Sequence, residues 1–198
     1  MGLAFIYQPG QTPIDEDEKQ GLRIKSITTQ GELNDAERLN IEQAIDWTLR
    51  RRYTVEEIFS EAFVLELHRR MYAEVWKWAG TYRKSDKNIG VEWFSIPTEL
   101  KILLDDARYW HENEVFPPEE LAIRFKHRIV SIHCFPNGNG RHSRLMADVI
   151  VSHVYQLPVF SWSARNLGNT GDARNAYLTA LKRADAGSIE PLVYFARS

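Results

Sequence analysis

The chain of 198 residues has little that could link it covalently or place it in a membrane. Cys134 is its only cysteine, so no disulfide can form within the chain, which suits a reducing compartment. No stretch approaches the roughly 18 consecutive apolar residues of a membrane-spanning helix. The apolar start, residues 1–7, lacks the basic residues and the length of a signal peptide. We therefore expect a soluble cytoplasmic protein that does not contact a membrane.

A surplus of positive charge and paired metal ligands are also missing. The formal net charge is −2 at pH 7, whereas binding to nucleic acid through a broad field requires excess lysine and arginine. We therefore do not expect a nucleic-acid partner. Five histidines lack the spacing of zinc ligands, and we interpret them as surface or packing residues: His68, His111, His127, His142 and His153.

The remaining composition is that of an ordinary globular chain, and its apolar residues recur mainly at helical spacing. Hydrophobic residues make up 43% and charged residues 26%. Helices are predicted over about 35–51, 55–78, 98–113, 118–132, 141–156, 172–185 and 188–197. Asn34 with Glu37 would cap the first helix, and Thr54 with Glu57 would cap the second.

Two further segments and the buried face of the first helix complete the predicted fold. Residues 8–20 combine turn residues with an acidic run, which predicts an irregular leader. The first helix would bury Ile41, Ala44, Ile45, Thr48 and Leu49. Residues 81–96 are polar up to Gly90 and then β-branched and aromatic, which predicts a short strand or hairpin. The expected fold class is all-α with one short β-hairpin.

One stretch of twelve residues, from His133 to Arg144, has the composition of a phosphate site with a base beside it. Glycines in the turn 137–140 allow backbone N–H groups to converge on an anion, and the helix that follows adds its positive end. Arg141 and Arg144 are three residues apart, so both could point from one face of its first turn. His133 is the natural base, because imidazole titrates nearest to neutral pH.

These residue types could together transfer a phosphorus-containing group onto a hydroxyl. His133 would accept the proton of a serine, threonine or tyrosine, whose oxygen would attack a phosphate of a bound nucleotide. N–H groups around Gly138, Asn139 and Gly140 would stabilise the phosphate oxygens, and the arginines would hold the remaining phosphates.

The same stretch resembles the signature of Fic domains, His-x-Phe-x-Asp/Glu-Gly-Asn-Gly-Arg-x-x-Arg, at every defining position but one. The resemblance covers roughly residues 60–197 and implies a Fic-type helical bundle, with residues 1–53 as an N-terminal extension and 54–198 as the Fic domain. It implies AMP transfer from ATP to a target protein, with His133 as base. Asn139 and Arg141 would then help to bind the nucleotide, and Arg144 would hold its terminal phosphate.

A second stretch resembles the part of Fic domains that lies before the signature. It reads Tyr72-x-x-x-Trp76-x-Trp78-Ala79-Gly80-x-x-Arg83 and continues to Ile89-Gly90 and Phe94. In the family this region is a hairpin, called a flap, that aligns the target polypeptide by strand addition. The resemblance therefore implies a docking flap at Ile89, Gly90 and Phe94. From the residues alone, a plain surface hairpin is the alternative.

Asn137 is the departure from the family signature. The family has an acid at this position, which ligates the magnesium that bridges the phosphates. Asparagine offers a neutral oxygen, which lacks the charge that Mg²⁺ or Mn²⁺ favours. Three outcomes remain open: weaker metal-dependent transfer, a different donor or reaction, or a remnant that binds nucleotide without transferring it.

A glutamate before the domain suggests a built-in restraint. Many Fic proteins carry an inhibitory helix with the pattern Ser/Thr-x-x-x-Glu, whose glutamate pairs with the second arginine of the signature. Thr28 and Glu32 fit this pattern, although Leu33 follows where the family has glycine or asparagine. The hypothesis is that Glu32 pairs with Arg144 and restrains activity. The alternative is an ordinary first-turn glutamate that interacts with a helix dipole.

Two classes of function follow from these patterns. The leading one is a Fic-type transferase for AMP, with another nucleotide, phosphocholine or removal of AMP as variants of the same chemistry. The other is a module that binds a nucleotide or a partner without catalysis, for example the regulated half of a toxin–antitoxin system. The partner would be a target protein of unknown identity, an antitoxin or a second copy of the chain.

Overall fold

The structure is a computed structural model that describes residues 15–162 and 170–198. The helices in these ranges are α1 (Glu16–Lys19), α2 (Gln30–Leu49), α3 (Val55–Ile58), α4 (Glu61–Tyr72), α5 (Ile96–Glu112), α6 (Pro118–Ile132), α7 (Asn139–Val149), α8 (Thr170–Asp185) and α9 (Glu190–Arg197). An isolated bridge between Leu22 and Trp76 is the only β pairing in the described part. The predicted all-α class is confirmed. None of the described helices is both long and apolar enough to span a membrane.

Helix α2 begins earlier than predicted, because Thr29 rather than Asn34 caps it. The Thr29 hydroxyl accepts the Glu32 N–H at 3.2 Å, which forms a capping box. The buried stripe also differs from the predicted one, since Ile45 and Leu49 are 39% and 70% exposed. It follows helical spacing and includes three polar side chains, those of Glu37, Asn40 and Thr48, beside Leu33 and Ala44.

The predicted second helix is two helices in the structure. The capping box of Thr54 and Glu57 is confirmed, but it opens only the single turn of α3. The chain leaves helical geometry at Phe59, and the Ser60 hydroxyl caps α4 by accepting the Phe63 N–H at 3.1 Å. Helix α4 ends at Tyr72, not near residue 78, and turns follow it.

The core lies between α4, α5, α6 and α7. Helix α6 is buried through Leu121, Phe125, Ile129 and Ile132, in line with the prediction. Helix α7 buries residues over much of its circumference and continues as a π-helical turn, Ile150–Val154. Since α6 and α7 pack against each other, the turn that joins them is held on both sides. This turn carries the twelve-residue signature.

The acidic leader is ordered where the structure describes it, contrary to the prediction of an irregular segment. Asp15 caps α1, and its carboxylate lies 2.6 Å from the Lys87 ammonium. Glu18 lies 2.7 Å from the same ammonium. Lys87 is nearly covered, so both carboxylates compensate a largely desolvated charge. Residues 8–14 of the predicted leader lie outside the described residues.

The predicted hairpin is not a hairpin in the structure. Residues 81–92 form bends and turns, and a 3₁₀ turn follows at Trp93–Ser95. The backbone hydrogen bonds of the two arms go to the end of α6 and the residues just after it: the Arg83 N–H donates to the Cys134 carbonyl at 3.0 Å, and the Val91 N–H donates to the Ile132 carbonyl at 3.3 Å. The arms contact each other through side chains, for example where the Asp86 Oδ1 accepts the Trp93 N–H at 2.8 Å. The arms therefore lack a ladder of their own. We call residues 81–95 the flap segment.

Candidate active site

The signature forms the turn between α6 and α7, and two residues with positive φ shape it. His133 ends α6 in the left-handed conformation, with φ of 59°, and its N–H donates to the Ile129 carbonyl at 3.2 Å. Gly138 precedes α7 with φ of 78°. A Cβ at Gly138 would also lie 2.6–2.7 Å from the Tyr72 ring and hydroxyl, so glycine is required there.

Asn139 closes the turn with its side chain. Its Oδ1 accepts the Phe135 N–H at 2.9 Å, and its Nδ2 donates to the Phe135 carbonyl at 2.7 Å. Both polar atoms of the side chain thus bond to the loop itself, and the expected role of Asn139 in binding the nucleotide stays a prediction. Only its backbone N–H, in the first turn of α7, lies where an anion could accept it.

His68 is a supporting residue that the sequence analysis treated only as surface or packing. Its Nδ1 accepts the Gly80 N–H at 3.0 Å, so the neutral ring carries its proton on Nε2 and donates to the Asn137 carbonyl at 3.1 Å. The ring stacks on Phe135 at 3.7 Å. Burial lowers the pKa of His68 well below its usual value, so it stays neutral. A sequence signal existed, since His68 shares the buried face of α4.

His133 is buried and neutral, as a general base requires. The residue is 4% exposed, and burial lowers the pKa of its imidazole to about 4, with the positive charge of Arg83 acting in the same direction. A hydrogen bond with the Val130 backbone acts against this shift. At neutral pH the ring therefore carries no charge and can accept a proton.

Arg83 and Gly90 hold the flap segment against His133. The buried Arg83 guanidinium donates to the His133 carbonyl at 2.7 Å, to the Ser85 carbonyl at 2.8 Å and to the Val91 carbonyl. Gly90 has φ of 103°, and a Cβ there would lie 2.7 Å from the His133 Cβ. The flap thus lies against the candidate base, and only glycine permits this approach. The sequence alone does not indicate this role of Arg83.

The two signature arginines point to different partners. The Arg141 Nη1 lies 2.7 Å from the Glu37 Oε2, and the Glu37 Oε1 accepts the Trp76 indole N–H at 2.7 Å. Arg144 lies against Tyr177 of α8, with its guanidinium 5.9 Å from the ring centre. The two arginines therefore have different partners in this conformation, and their joint role at the phosphates stays a prediction.

Glu32 does not pair with Arg144 in the structure. Its carboxylate accepts the N–H groups of Thr28 and Thr29 at 2.8 and 3.0 Å, and these bonds lower its pKa. Glu32 lies three residues after the cap residue Thr29, and a glutamate at this position accepts a hydrogen bond from the N–H of the cap residue. The expected pairing is wrong for this conformation, and the alternative of a first-turn glutamate describes its contacts.

The first turn of α7 retains the features of an anion site. Its initial N–H groups have no acceptor within the helix, and they lie at the positive end of the helix dipole. A Cβ added to Gly140 would meet no atom within 4 Å, so open space lies over this glycine. Gly140 therefore borders an open space at the positive end of α7, next to Arg141 in the sequence.

Asn137 does not provide the ligand that a divalent cation favours. Its Oδ1 accepts the N–H of Gly138 at 2.7 Å, and its side chain carries no charge. Among the residues that the structure describes, no cluster of three histidine, cysteine, aspartate or glutamate side chains could hold a metal ion. The side chains at this turn thus do not fit a protein-built site for Mg²⁺ or Mn²⁺.

The residues expected to dock a target are exposed beside the signature. Ile89 is 48% and Phe94 is 62% exposed, and Trp93 joins them at 44%. A cleft of about 380 Å³ borders the flap segment, lined by Thr81, Tyr82, Arg83, Lys84, Trp93, Phe94 and Pro97. Gly90 is exposed as well, although a Cβ there would point at His133.

Comparisons with known proteins agree with this geometry. The sequence model of the Fic/DOC family matches residues 58–151. A protein of Aedes aegypti named Protein adenylyltransferase Fic is 29% identical over 136 residues, and a protein of Drosophila virilis with the same name is 30% identical over 137 residues. Each match covers 67% of this chain but 26% of the relative. The chain thus spans about a quarter of the length of these relatives.

Solved structures share the fold. Fic-1 from C. elegans superposes with a TM-score of 0.66 at 20% identity, covering 90% of this chain and 51% of that chain. BepC from Bartonella tribocorum superposes with a TM-score of 0.66 at 15% identity, covering 92% of this chain and 97% of that chain. These structures show the shared fold, and the family model over residues 58–151 together with the related sequences shows that the chain contains a Fic domain of the Fic/DOC family.

Proposed function

We propose that this chain transfers AMP from ATP onto a serine, threonine or tyrosine hydroxyl of a target protein. One observation carries the proposal: a single turn holds the neutral His133 at the end of α6, and the anion-binding start of α7 with Arg141 and Arg144 follows within the same twelve residues. A base and a phosphate site are thereby fixed relative to each other. The relatives named as adenylyltransferases support AMP as the transferred group.

In the proposed reaction, the target hydroxyl gives its proton to His133 and its oxygen attacks the α-phosphorus of ATP. The bond from the α-phosphorus to the bridging oxygen breaks, and pyrophosphate leaves with that electron pair. The N–H groups at the start of α7 stabilise the developing charge, and one such donor contributes about 3 kcal/mol in well-studied sites. Arg144 holds the terminal phosphate, and Arg141 holds the nucleotide after it leaves Glu37.

Adenylyltransferases of this kind use ATP, generally with a divalent metal. Since Asn137 offers only a neutral oxygen that already accepts the Gly138 N–H, no step is assigned to a metal held by this chain. The positive charge at the phosphates comes from the arginines and from the helix dipole.

The target protein docks against the flap segment. Ile89, Trp93 and Phe94 are exposed next to the base, and the neighbouring cleft is mainly apolar with Lys84 at its edge. Exposed aromatic side chains of this kind are common anchors for a partner. Since the inner edge of the flap bonds to α6, the target contacts its outer side.

Helix α2 restrains the activity through Glu37. This buried carboxylate occupies Arg141, which the nucleotide needs, and it is itself held by the Trp76 indole. Asn40 fixes the helix to the end of α4, where its amide bonds the Arg70 carbonyl and the Glu74 N–H at 2.9 and 3.0 Å. The pair stabilises the form without nucleotide, so ATP competes with Glu37 for the arginine.

A second function has one observation in its favour. The Asn137 Oδ1 is engaged by the Gly138 N–H, and the turn lacks the acid of the family signature. A chain that binds nucleotide without transferring AMP would be explained by this difference. Its partner would be an antitoxin or a second copy of the chain.

Labelled nucleotides separate these functions. The protein is incubated with divalent cation and ATP labelled on either the α- or the γ-phosphate, alone and with cell lysate. The variants are His133→Ala, Asn137→Asp and Glu37→Gln. Transfer of AMP predicts that only the α-label enters protein, that His133→Ala abolishes it and that Asn137→Asp increases it, because a carboxylate at residue 137 would hold the cation.

Each alternative result has a distinct meaning. Label from the γ-phosphate would show phosphoryl transfer instead of AMP transfer. ATP binding without label in any variant would favour the non-catalytic module. Label that persists in His133→Ala would show that another group acts as the base.

A further inference from the structure

Tyr72 carries a buried hydroxyl that the proposed mechanism does not use. The residue is 0% exposed, and its hydroxyl has no hydrogen-bond partner among the described residues. Leaving such a group without a partner costs about 1–3 kcal/mol. Phenylalanine would fill the same space without that cost, so the hydroxyl is explained better by a bound state than by the ligand-free fold.

The hydroxyl lies at the start of α7. The ring and the hydroxyl contact Gly138, since a Cβ at that glycine would lie 2.7 Å from the oxygen. The Arg141 guanidinium lies 5.2 Å from the centre of the same ring. Tyr72 thus stands between the end of the helix dipole and the arginine that the proposed function assigns to the nucleotide.

The electrostatic surroundings keep the phenol protonated. Burial raises the pKa of Tyr72 to about 12, although the positive charges of Arg141 and Arg144 act against the shift. A protonated phenol can donate a hydrogen bond to an anion without adding negative charge. Its proton is therefore available for a phosphate oxygen at neutral pH.

We infer that the Tyr72 hydroxyl is a further nucleotide-binding group, which donates a hydrogen bond to a phosphate oxygen of ATP at the start of α7. The inference rests on the proposed function, because it requires a nucleotide at this helix. Arg141 covers the ring while it is paired with Glu37. When Arg141 turns to the phosphates, the phenol gains access to the same ligand.

The substitution Tyr72→Phe tests this role because it removes only the hydroxyl. Unfolding midpoints are measured without ligand, and dissociation constants for ATP and for inorganic pyrophosphate are measured by calorimetry. Tyr53→Phe is the matched control, because Tyr53 is also buried but its hydroxyl donates to the Trp47 carbonyl at 3.4 Å. The Tyr53 ring packs against Trp47, Phe63 and His153, none of which belongs to the signature.

We expect Tyr72→Phe to bind ATP about tenfold more weakly while its ligand-free midpoint stays equal or rises. Tyr53→Phe should bind ATP like the wild type, and its midpoint should not rise. Equal ATP affinity in Tyr72→Phe would overturn the inference. A lower midpoint for Tyr72→Phe would overturn it too, because the hydroxyl would then have a partner, such as a buried water, in the ligand-free fold.

The wild type distinguishes this failure from a failure of the proposed function. If the wild type binds ATP and Tyr72→Phe binds it equally well, only the inference about Tyr72 fails. If the wild type binds pyrophosphate but not ATP, the proposed transfer of AMP is wrong. The pyrophosphate affinities of the wild type and of Tyr72→Phe then still decide whether the Tyr72 hydroxyl binds a phosphate. If it binds neither, both fail.

Discussion

At the scale of single residues, the signature separates into residues that shape the turn and residues that border the open space. Asn139 and Gly138 belong to the first group, since one bonds the Phe135 backbone and the other touches Tyr72. Gly140 belongs to the second group, because nothing lies within 4 Å of where its Cβ would be. Substitutions in the two groups should therefore differ in their effect on stability.

Gly140→Ala should stabilise the fold and weaken nucleotide binding. Alanine is favoured over glycine within a helix by about 0.5–1 kcal/mol, and the added methyl group meets no protein atom. It would instead occupy space at the proposed phosphate site. Gly31→Ala is the matched control, because Gly31 also lies in the first turn of a helix with open space around it, but in α2. Urea unfolding and ATP calorimetry measure the two effects.

The two variants should gain similar stability, while only Gly140→Ala loses affinity for ATP. Unchanged affinity in Gly140→Ala would show that the phosphates do not approach this glycine. A loss of affinity in Gly31→Ala as well would point to an indirect effect of α2.

The low pKa of His133 predicts an unusual dependence of activity on pH. A histidine with an ordinary pKa near 6.5 would lose about tenfold of its neutral form between pH 7.5 and 5.5. Because burial and Arg83 lower the pKa of His133 to about 4, kcat/KM should change by less than about twofold over the same range. Initial rates measured with target concentrations well below KM, at a fixed saturating ATP concentration, test the prediction across this range. A midpoint near pH 6.5 would mean that the imidazole is exposed to solvent in the active form.

At the scale of elements, α2 and α1 hold the two sides of the site. Helix α2 reaches the phosphate side through Glu37 and Arg141. Helix α1 reaches the flap side, because Asp15 and Glu18 both contact Lys87. The N-terminal extension thus contacts the site through charged pairs, which a ligand or a partner could displace more readily than apolar packing.

Glu37→Gln should increase ATP affinity and transfer if α2 restrains the enzyme. The amide can still accept the Trp76 N–H, but it no longer neutralises Arg141. Removing a partly buried ion pair that competes with the ligand should raise the affinity for ATP by about tenfold. Glu32→Gln makes the same change on the same helix, where the carboxylate contacts only Thr28 and Thr29 among the described residues.

Glu32→Gln should leave ATP affinity unchanged and lower the unfolding midpoint slightly, because it weakens the capping box. A higher ATP affinity in this variant, with none in Glu37→Gln, would return the restraint to Glu32. Lower affinity in Glu37→Gln would show that Glu37 positions Arg141 for the nucleotide instead of competing with it.

At the scale of the whole molecule, the sequence predicted the helices well and the contacts between them less well. Helical spacing and capping residues are local signals, and they located α5, α6 and α9 closely. The buried stripe of α2 was predicted only at Ala44 and Thr48, because Glu37 and Asn40 are buried by partners distant in sequence. The flap was predicted as a hairpin from β-branched residues, whereas the Arg83 side chain and the end of α6 supply its hydrogen bonds.

The fold as a whole should lose stability in mild acid, because several histidines are buried without charge. Burial lowers the pKa of His133 and His142 to about 4 and lowers that of His68 well below its usual value. The unfolded chain takes up protons near pH 6.5, so it binds more protons than the folded chain between about pH 6.5 and 4. The stability that these neutral rings contribute is present above pH 6.5 and is lost as the pH falls. Each ring changes the free energy of unfolding by up to about 1.4 kcal/mol per pH unit in this range.

Two substitutions should change this slope in opposite directions. Burial raises the pKa of Asp148 to about 6, so its carboxyl favours the folded state at low pH and that contribution is lost as the pH rises from about 4 to 6. Asp148→Asn removes this opposing effect, so the free energy of unfolding should fall more steeply as the pH is lowered. The amide oxygen can still accept the Trp162 and Phe160 N–H groups. His142→Gln removes one titrating ring and should make it shallower, although it lowers stability at neutral pH. Urea unfolding at several pH values between 7 and 5 measures the slopes of the wild type and of the two variants. A wild-type stability that is constant over this range would contradict the assignment of neutral, buried histidines.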